Sequence, residues 1–157
     1  MATARRATAD EAPALARMLH DFNTEFGLPS PGVAVVEERV REVIADDSKE
    51  FFIGFADDDG EPLGFTELSF FRSVWQERPI GHIDELYVVP EHRGDGIGRV
   101  LLEALLERAR ERGAPSVGLV TGEANADARA LYESVGFRND IEVPDGTRAL
   151  SYEIELG

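Results

Sequence analysis

Three glycines at alternate positions form the densest chemical signal in the sequence. Gly94, Gly96 and Gly98 follow an apolar run that ends near Val88 and a proline. Glycine lets backbone N–H groups converge without a Cβ in the way, and a helix that starts here adds unpaired N–H donors and the positive end of its dipole. An anion such as a pyrophosphate should bind at such a turn. Arg93 either adds a charge-assisted contact or pins the turn.

Two other phosphate-binding turns do not fit this segment. In the dinucleotide fingerprint the glycines stand at the first, third and sixth places, and counting from Gly94 the sixth place is Arg99. A P-loop needs a Gly-Lys-Ser/Thr triplet, whereas Lys49 is the only lysine of the chain. The turn alone leaves two interpretations open, an anion site or a tight strand-to-helix connection.

A second segment downstream narrows the choice. It runs from Asn125 to Phe137 and reads Asn-x-x-Ala-x-x-Leu-Tyr-x-x-x-Gly-Phe, while the first, from Val88 to Gly98, reads Val-x-Pro-x-x-Arg-x-x-Gly-x-Gly. Together the two motifs resemble the GNAT superfamily of acyl-CoA-dependent N-acetyltransferases. The resemblance is strongest over residues 82–137, and the order of predicted elements on both sides agrees with it.

The resemblance implies how a co-substrate, acetyl-CoA, would bind. The glycine turn would wrap its pyrophosphate, and the preceding strand would splay from its parallel neighbour at a bulge and pair with the pantetheine arm. Asn125 would contact that arm or fix its loop. Asp95 departs from the family, because a carboxylate beside a pyrophosphate is unfavourable unless it points to solvent. The implied cofactor-binding residues are Leu86, Tyr87, Val88, Arg93, Gly94, Gly96, Ile97, Gly98, Arg99 and Asn125.

The resemblance also implies direct transfer of the acetyl group to an amine in a ternary complex. Tyr132 would face the thioester sulfur and protonate the departing thiolate. The amine must first lose a proton, and Glu85 on the cofactor-facing strand is the candidate base, acting directly or through a water. Strand alternation places Glu85 on one face with Tyr87, and an N–H near Val88 would meet the thioester oxyanion. The chain has no cysteine, and no serine stands in a nucleophile-elbow context, so no covalent acyl-enzyme is expected.

Each catalytic candidate has a structural alternative. Tyr132 could be an aromatic residue that packs its helix on the sheet, and Glu85 could be an ordinary solvated strand residue. His82 and Asp84 are neighbours that could replace Glu85 as the base. The three histidines lack a paired spacing, so no metal site is predicted.

The elements that position these residues follow from periodicity and turn signals. Helices are predicted from a capping-box spacing at 8–11 up to a break at 27–32, and over 34–45, 96–112 and 125–135. Strands are predicted over 4–8, 51–56, 63–71, 82–89, 117–121, 137–141 and 149–155, with a hairpin turn at 57–60. A helix joins the strands at 82–89 and 117–121, which makes them parallel. With the resemblance, we expect one GNAT-like α/β domain over 1–157, with a mixed, mostly antiparallel sheet and one central, splayed parallel pair flanked by helices.

The charge balance of the chain excludes some partners. Its 157 residues include 16 basic and 31 acidic ones, a formal net charge of −15. This balance argues against a nucleic acid or an anionic membrane and is compatible with a cationic small molecule, as well as with plain solubility. No stretch is typical of a signal peptide or a membrane span, so we expect a cytoplasmic protein.

The sequence does not identify the acceptor. Aromatic residues beside acids could hold a cationic amine, or Phe70, Phe71 and Trp75 could belong to the core or to a dimer interface, which leaves a homodimer open. We expect an acyltransferase that acetylates a primary amine of a small molecule. Two alternatives remain: a non-catalytic acyl-CoA-binding sensor or regulatory module of the same fold, and a peptide or protein N-terminal acetyltransferase.

Overall fold

A computed structural model describes residues 1–58, 60–139 and 152–156. It divides into two compact units, residues 1–122 and residues 123–157, and each is described by itself. The first unit holds the sheet and three helices, and the second holds one helix. A single domain over 1–157 stays a prediction.

The first unit contains a five-stranded sheet in the order β1-β2-β3-β4-β5. Neighbouring strands pair antiparallel except β4 and β5, which are parallel through Gly81 to Ile83 of β4. The mixed α/β fold and its parallel pair are therefore confirmed. The strands are β1 (Thr3–Arg6), β2 (Lys49–Phe55), β3 (Gly64–Phe71), β4 (Ile80–Val88) and β5 (Val117–Leu119).

Among the described residues, three α-helices belong to the first unit and a fourth belongs to the second. The capping box predicted at Thr8 and Glu11 is present: it opens a short 3-10 turn, Ala9–Glu11, that leads directly into the first helix. Gly113 follows the third helix with φ of +73°, as expected of a glycine that ends a helix. The helices are α1 (Ala12–Glu25), α2 (Val33–Ala45), α3 (Ile97–Glu111) and α4 (Ala126–Ser134).

Strand alternation divides the core of the first unit into two layers. On one face, side chains of the sheet pack with α1 and α2 in a cluster made of Ala7, Ala12, Leu15, Met18, Val40, Phe51, Ile53, Phe55, Phe65 and Tyr87. On the other face α3 approaches closely over Gly54 and Gly64, where an added Cβ would lie 2.7 Å and 3.2 Å from the Ile97 Cγ2 atom. Glycine at both positions lets α3 lie directly on the sheet.

The buried carboxylate of Glu50 holds α3 to the sheet by ion pairs. The residue is 3% exposed, and its Oε1 atom lies 2.9 Å from a guanidinium nitrogen of Arg108 and 2.9 Å from one of Arg6. Because both arginines are partly exposed, the buried charge is neutralised without burying a second full charge. These ion pairs connect α3 to strands β1 and β2 of the sheet.

The two strands predicted at the C-terminal end do not appear where the structure describes them. Phe137–Asn139 and Tyr152–Leu156 are described and contain no strand. The rest of those predicted strands, and the Asp59 position of the predicted hairpin, lie outside the described residues. In the described sheet the parallel pair, β4 and β5, lies at one edge. The pair would be central, as predicted, only if the two predicted C-terminal strands extended the sheet beyond β5.

Candidate active site

The second half of β4 leaves its parallel neighbour at a bulge. Glu67 of β3 pairs with Glu85, but the next residue, Leu68, pairs with Ile83, so that Asp84 is the extra residue. A bulge increases the local twist and bends the strand. In the described sheet β5 pairs with β4 only up to Ile83, so the backbone of residues 84–88 has no parallel partner there. This strand edge can pair with an extended ligand, as the resemblance implies for Leu86, Tyr87 and Val88.

The glycine turn begins directly after this edge. Gly94 and Gly96 both have φ of +89°, which is the left-handed region that favours glycine, and Gly96 caps the N-terminus of α3. Among the described residues nothing lies within 4 Å of a Cβ added at either position. The N–H groups of Ile97 and Gly98 lie in the first helical turn and have no acceptor within the helix. Open space beside unpaired N–H donors fits an anion such as a pyrophosphate.

Arg93 pins this turn to α1. Its Nη1 and Nη2 atoms each donate to a different carboxylate oxygen of Glu25, both at 2.6 Å, and its Nε donates to the carbonyl oxygen of Val88 at 2.9 Å. The guanidinium also lies 5.6 Å from the centre of the Tyr87 ring. Glu25 raises the pKa of Arg93, so the pair stays charged. Of the two roles foreseen for Arg93, this geometry supports the structural one.

The side chains of three other residues at the turn contact protein groups. Asp95 is more than half exposed, and its carboxylate lies 3.2 Å from the His92 Nδ1 atom. Ile97 is 1% exposed and packs in the core, so that only its backbone is available to a ligand. Arg99 pairs with Glu103 one helical turn further on, at 3.1 Å.

Glu85 is the perturbed acid of this region. Its Oε2 atom is buried and has no hydrogen-bond partner in the described part of the chain. Burial, and then the charges of Glu67 and Asp84, raise the pKa of Glu85 to about 7. A carboxyl group with that pKa accepts a proton at neutral pH and gives it up again, as a general base must.

A network of charges surrounds Glu85 on the same face of the sheet. The Lys49 Nζ atom lies 2.7 Å from an oxygen of Glu67 and 3.4 Å from one of Asp84. Asp84 also accepts a hydrogen bond from Ser69 and lies 3.1 Å from the Nδ1 atom of His82. Asp84 and His82 are engaged with each other and with this network, whereas the Glu85 Oε2 atom has no partner among the described residues. The role of Glu85 as the base stays a prediction.

Glu67 and Lys49 were missed at the level of sequence. Glu67 is 8% exposed, and burial is the main cause that raises its pKa, although the Lys49 ammonium lowers it. One signal could have found the pair: Glu67 stands in the middle of an apolar strand, and Lys49 is the only lysine. A buried carboxylate needs a partner, and the chain offers one ammonium side chain.

Asn125, a candidate for cofactor binding, and Tyr132, a catalytic candidate, lie in the second unit. Asn125 precedes α4, and its carbonyl oxygen accepts from the Arg129 N–H at 3.0 Å. The Tyr132 ring packs edge-on against Phe137, with 5.9 Å between ring centres, and burial raises the pKa of its hydroxyl. Tyr132 therefore keeps its proton at neutral pH.

The aromatic residues proposed for acceptor binding differ in burial. Phe70 is 7% exposed and lies under the Arg112 guanidinium at 4.3 Å, which makes it a core residue. Phe71 and Trp75 are 50% and 86% exposed. Among the described residues no group of three or more acidic or histidine side chains could hold a metal ion. No helix in the described ranges is long and apolar enough to cross a bilayer.

Comparison with known proteins agrees with this geometry. A model of the acetyltransferase (GNAT) family matches residues 15–137. A thialysine N-epsilon-acetyltransferase from Caenorhabditis elegans is 30% identical over 132 residues, which are 84% of this chain and 80% of that protein. A crystal structure of a protein from Arthrobacter sp. FB24, assigned as an acetyltransferase, superimposes with a TM-score of 0.84 and 39% identity over 98% of this chain and 96% of its own.

One further relative matches over part of its length. An uncharacterized N-acetyltransferase from Archaeoglobus fulgidus is 41% identical over 85 residues, which are 53% of this chain. The match spans 57% of that protein, little more than half of its length.

Proposed function

The chain belongs to the acetyltransferase (GNAT) family, and on that premise we propose that it transfers the acetyl group of acetyl-CoA to a primary amine of a small molecule. The observation that carries the proposal is the buried Glu85 carboxyl beside the β4 bulge, with a pKa of about 7 and an oxygen that has no partner among the described residues. A module that only bound acyl-CoA would need the glycine turn and the strand edge, but not a base of this kind.

Acetyl-CoA fits the residues of the first unit. Gly94 and Gly96 have positive φ values, and the space beside them is open. A pyrophosphate can occupy this space, part of which the Cβ of any other residue would fill. The unpaired edge at residues 84–88 suits an extended arm that ends near Glu85. When bound, acetyl-CoA supplies the activated acetyl group.

Proton transfers complete the proposed reaction. Glu85 takes a proton from the ammonium form of the acceptor, directly or through a water, and the freed nitrogen lone pair forms a bond to the acetyl carbonyl carbon. The backbone N–H near Val88 stabilises the negative charge that develops on the carbonyl oxygen. As the carbon–sulfur bond breaks, the Tyr132 hydroxyl donates its proton to the thiolate. The nitrogen of the new amide then gives its extra proton to the Tyr132 phenolate, directly or through a water, and Glu85 releases the first proton to solvent. The products are an N-acetyl amine and free CoA.

The small-molecule acceptor class is supported by one relative in particular. The protein from Caenorhabditis elegans acts on thialysine, which carries a primary amine. The surroundings of Glu85 are compatible with such an acceptor. Lys49, Glu67 and Asp84 make this part of the sheet face polar.

The direct test combines binding and turnover. Acetyl-CoA is titrated while the melting temperature is followed, and free thiol is then measured with a panel of primary amines. We expect stabilisation by acetyl-CoA and thiol release that depends on the amine. Stabilisation without release for any amine would favour the sensor alternative, and no stabilisation at millimolar acetyl-CoA would overturn the proposal.

A further inference from the structure

A groove lies between the end of α1 and the end of β4. Its volume is about 390 Å³, and its lining includes Asp21, Glu25, Tyr87 and Glu91. The groove is on the same face of the sheet as Glu85, because Tyr87 follows Glu85 by two residues in the strand. Nothing in the proposed acetyl transfer uses this groove.

The Tyr87 side chain lines this groove, and its hydroxyl has no hydrogen-bond partner in the described part of the chain. The residue is 5% exposed, and its ring packs against Phe22 and Phe65, with ring centres 6.1 Å and 6.0 Å away. These contacts hold the ring in place, whereas the hydroxyl makes no hydrogen bond to a described residue. Burial, and then the charges of Asp21 and Glu25, raise the pKa of Tyr87, so these carboxylates lie near the oxygen. The hydroxyl oxygen is therefore available to a ligand that enters the groove.

The charge of the groove selects the kind of partner. Glu25 is neutralised by Arg93, but Asp21 and Glu91 have no ion-pair partner among the described residues. The groove therefore carries net negative charge beside a free hydroxyl oxygen. A cation with N–H donors satisfies both features, since it pairs with the carboxylates and donates to the oxygen. A metal ion is a poorer match, because no three acidic or histidine side chains of the described part are grouped to hold one.

We propose that this groove binds a second ammonium group of the acceptor, so that the favoured acceptors are diamines or polyamines. The inference rests on the proposed acetyl transfer, because the first amine must reach Glu85. Tyr87 and Glu85 leave β4 about 7 Å apart on one face, a spacing that a short diaminoalkane can span. Asp21, Glu91 and Tyr87 would then act as specificity-determining residues rather than catalytic ones.

The test compares acceptors that differ only at the second group. Putrescine, aminobutanol and butylamine carry an ammonium, a hydroxyl and a methyl group at that end. For the wild-type protein, we expect kcat/KM to be at least about tenfold higher with putrescine than with either of the others, because one charge-assisted contact is worth about that factor. In the double variant Asp21→Asn with Glu91→Gln this ratio should fall towards one.

A matched control separates the groove from general charge effects. The double variant Glu38→Gln with Glu107→Gln removes the same two charges from exposed helix positions and should keep the wild-type ratio. Tyr87→Phe keeps the packed ring and should lower the ratio by itself. Equal kcat/KM values for the three acceptors, or a ratio that survives in the Asp21→Asn and Glu91→Gln variant, would overturn the inference.

An equilibrium measurement distinguishes failure of this inference from failure of the proposed function. Calorimetry of putrescine and of butylamine with the protein needs no turnover. Tighter binding of putrescine, lost with Asp21→Asn and Glu91→Gln, supports the groove even if no amine releases thiol. Equal or absent binding of both amines contradicts the groove, whatever the transferase assay gives.

Discussion

Glu67 and Glu85 lie directly opposite each other on β3 and β4, beside the bulge at Asp84. Two carboxyl groups this close do not both ionise easily on a partly buried surface. The Lys49 ammonium lies 2.7 Å from Glu67 and favours the ionised form of that residue. The proton therefore belongs to Glu85, whose pKa is raised to about 7. The arrangement provides a base that is ready at neutral pH.

Glu85 should make the folded protein less stable as pH rises. Its folded pKa is about 7 and its ordinary value is 4.5, so the folded state binds more protons between those pH values and the free energy of unfolding falls as pH increases through them. Glu85→Gln removes this penalty. Because the carboxyl is partly exposed, we expect a gain of only about 1–2 kcal/mol above pH 7.

Urea unfolding of wild type and Glu85→Gln at several pH values measures this difference. At pH 4, below both pKa values, the free energies of unfolding of the two proteins should differ only by a constant offset. The difference between them should then grow as the pH is raised to 8. Glu38→Gln, at an exposed helix position, serves as the control and should show no such divergence. A pH-independent difference for Glu85→Gln would mean that its pKa is not raised.

Removing the Lys49 charge should destabilise the protein through Glu67. Lys49→Met leaves the Glu67 carboxylate, 11% exposed at its side chain, without its counter-charge, so the pKa of Glu67 rises further. The folded state then pays a penalty at pH values where Glu67 must ionise. We expect a loss of about 1–2 kcal/mol at pH 8 and less at pH 5, measured by urea unfolding.

The double variant Lys49→Met with Glu67→Gln provides the internal check on this reading. It removes both charges and should recover most of the stability at pH 8. An equal loss at both pH values, or no recovery in the double variant, would show that Lys49 contributes by packing and not by charge.

Local features of this fold could be predicted from sequence, and long-range ones could not. The capping box at Thr8, the glycine turn before α3 and the glycine that ends it depend on residues close in the chain, which is why their patterns identify them. The pairing of Glu67 with Glu85 depends on the register between two strands and on the extra residue at Asp84. Register is set by the packing of the whole sheet, and no local pattern encodes it.

The same distinction explains the candidate site. Glu85 could be chosen from its strand and motif, but its raised pKa comes from burial and from Glu67, which is distant in sequence. The Arg93–Glu25 pair joins residues that are 68 positions apart, so only the fold reveals that Arg93 is engaged. The Tyr132 and Asn125 assignments stay predictions.

Gly96 should be needed for acetyl-CoA and not merely for the turn. Gly96→Ala adds a Cβ at φ of +89° and points it into the open space above the turn. Gly113→Ala is the matched control, because it also places alanine at positive φ, at the other end of α3, where its Cβ makes only an ordinary contact with Arg78. Both variants should lose about 1 kcal/mol of stability.

Only Gly96→Ala should weaken the binding of acetyl-CoA, by about tenfold or more, which is the loss of one good contact. Calorimetric titration of the two variants measures the difference. Equal affinities in both variants would place the pyrophosphate somewhere other than this turn.

Tyr132 should affect turnover without affecting the binding of acetyl-CoA. Burial raises the pKa of its hydroxyl, which stays protonated and can serve as a general acid. Tyr132→Phe should lower kcat by about 100-fold, while the melting-temperature shift with acetyl-CoA stays that of wild type. Tyr152→Phe, at an 89% exposed position, is the control and should keep full activity. Unchanged turnover in Tyr132→Phe would remove this residue from the mechanism.

The most direct test of the central claim is the pH dependence of kcat in wild type and in Glu85→Gln, with two acceptor amines of different pKa. If Glu85 is the base, wild-type kcat rises with pH through about 7 with either acceptor, because the carboxyl must be ionised to take the proton. Glu85→Gln should lose that limb and about 100-fold in kcat, with acetyl-CoA affinity unchanged. The account would be contradicted if the rise of kcat shifted to a different pH with the pKa of the acceptor amine and persisted in Glu85→Gln.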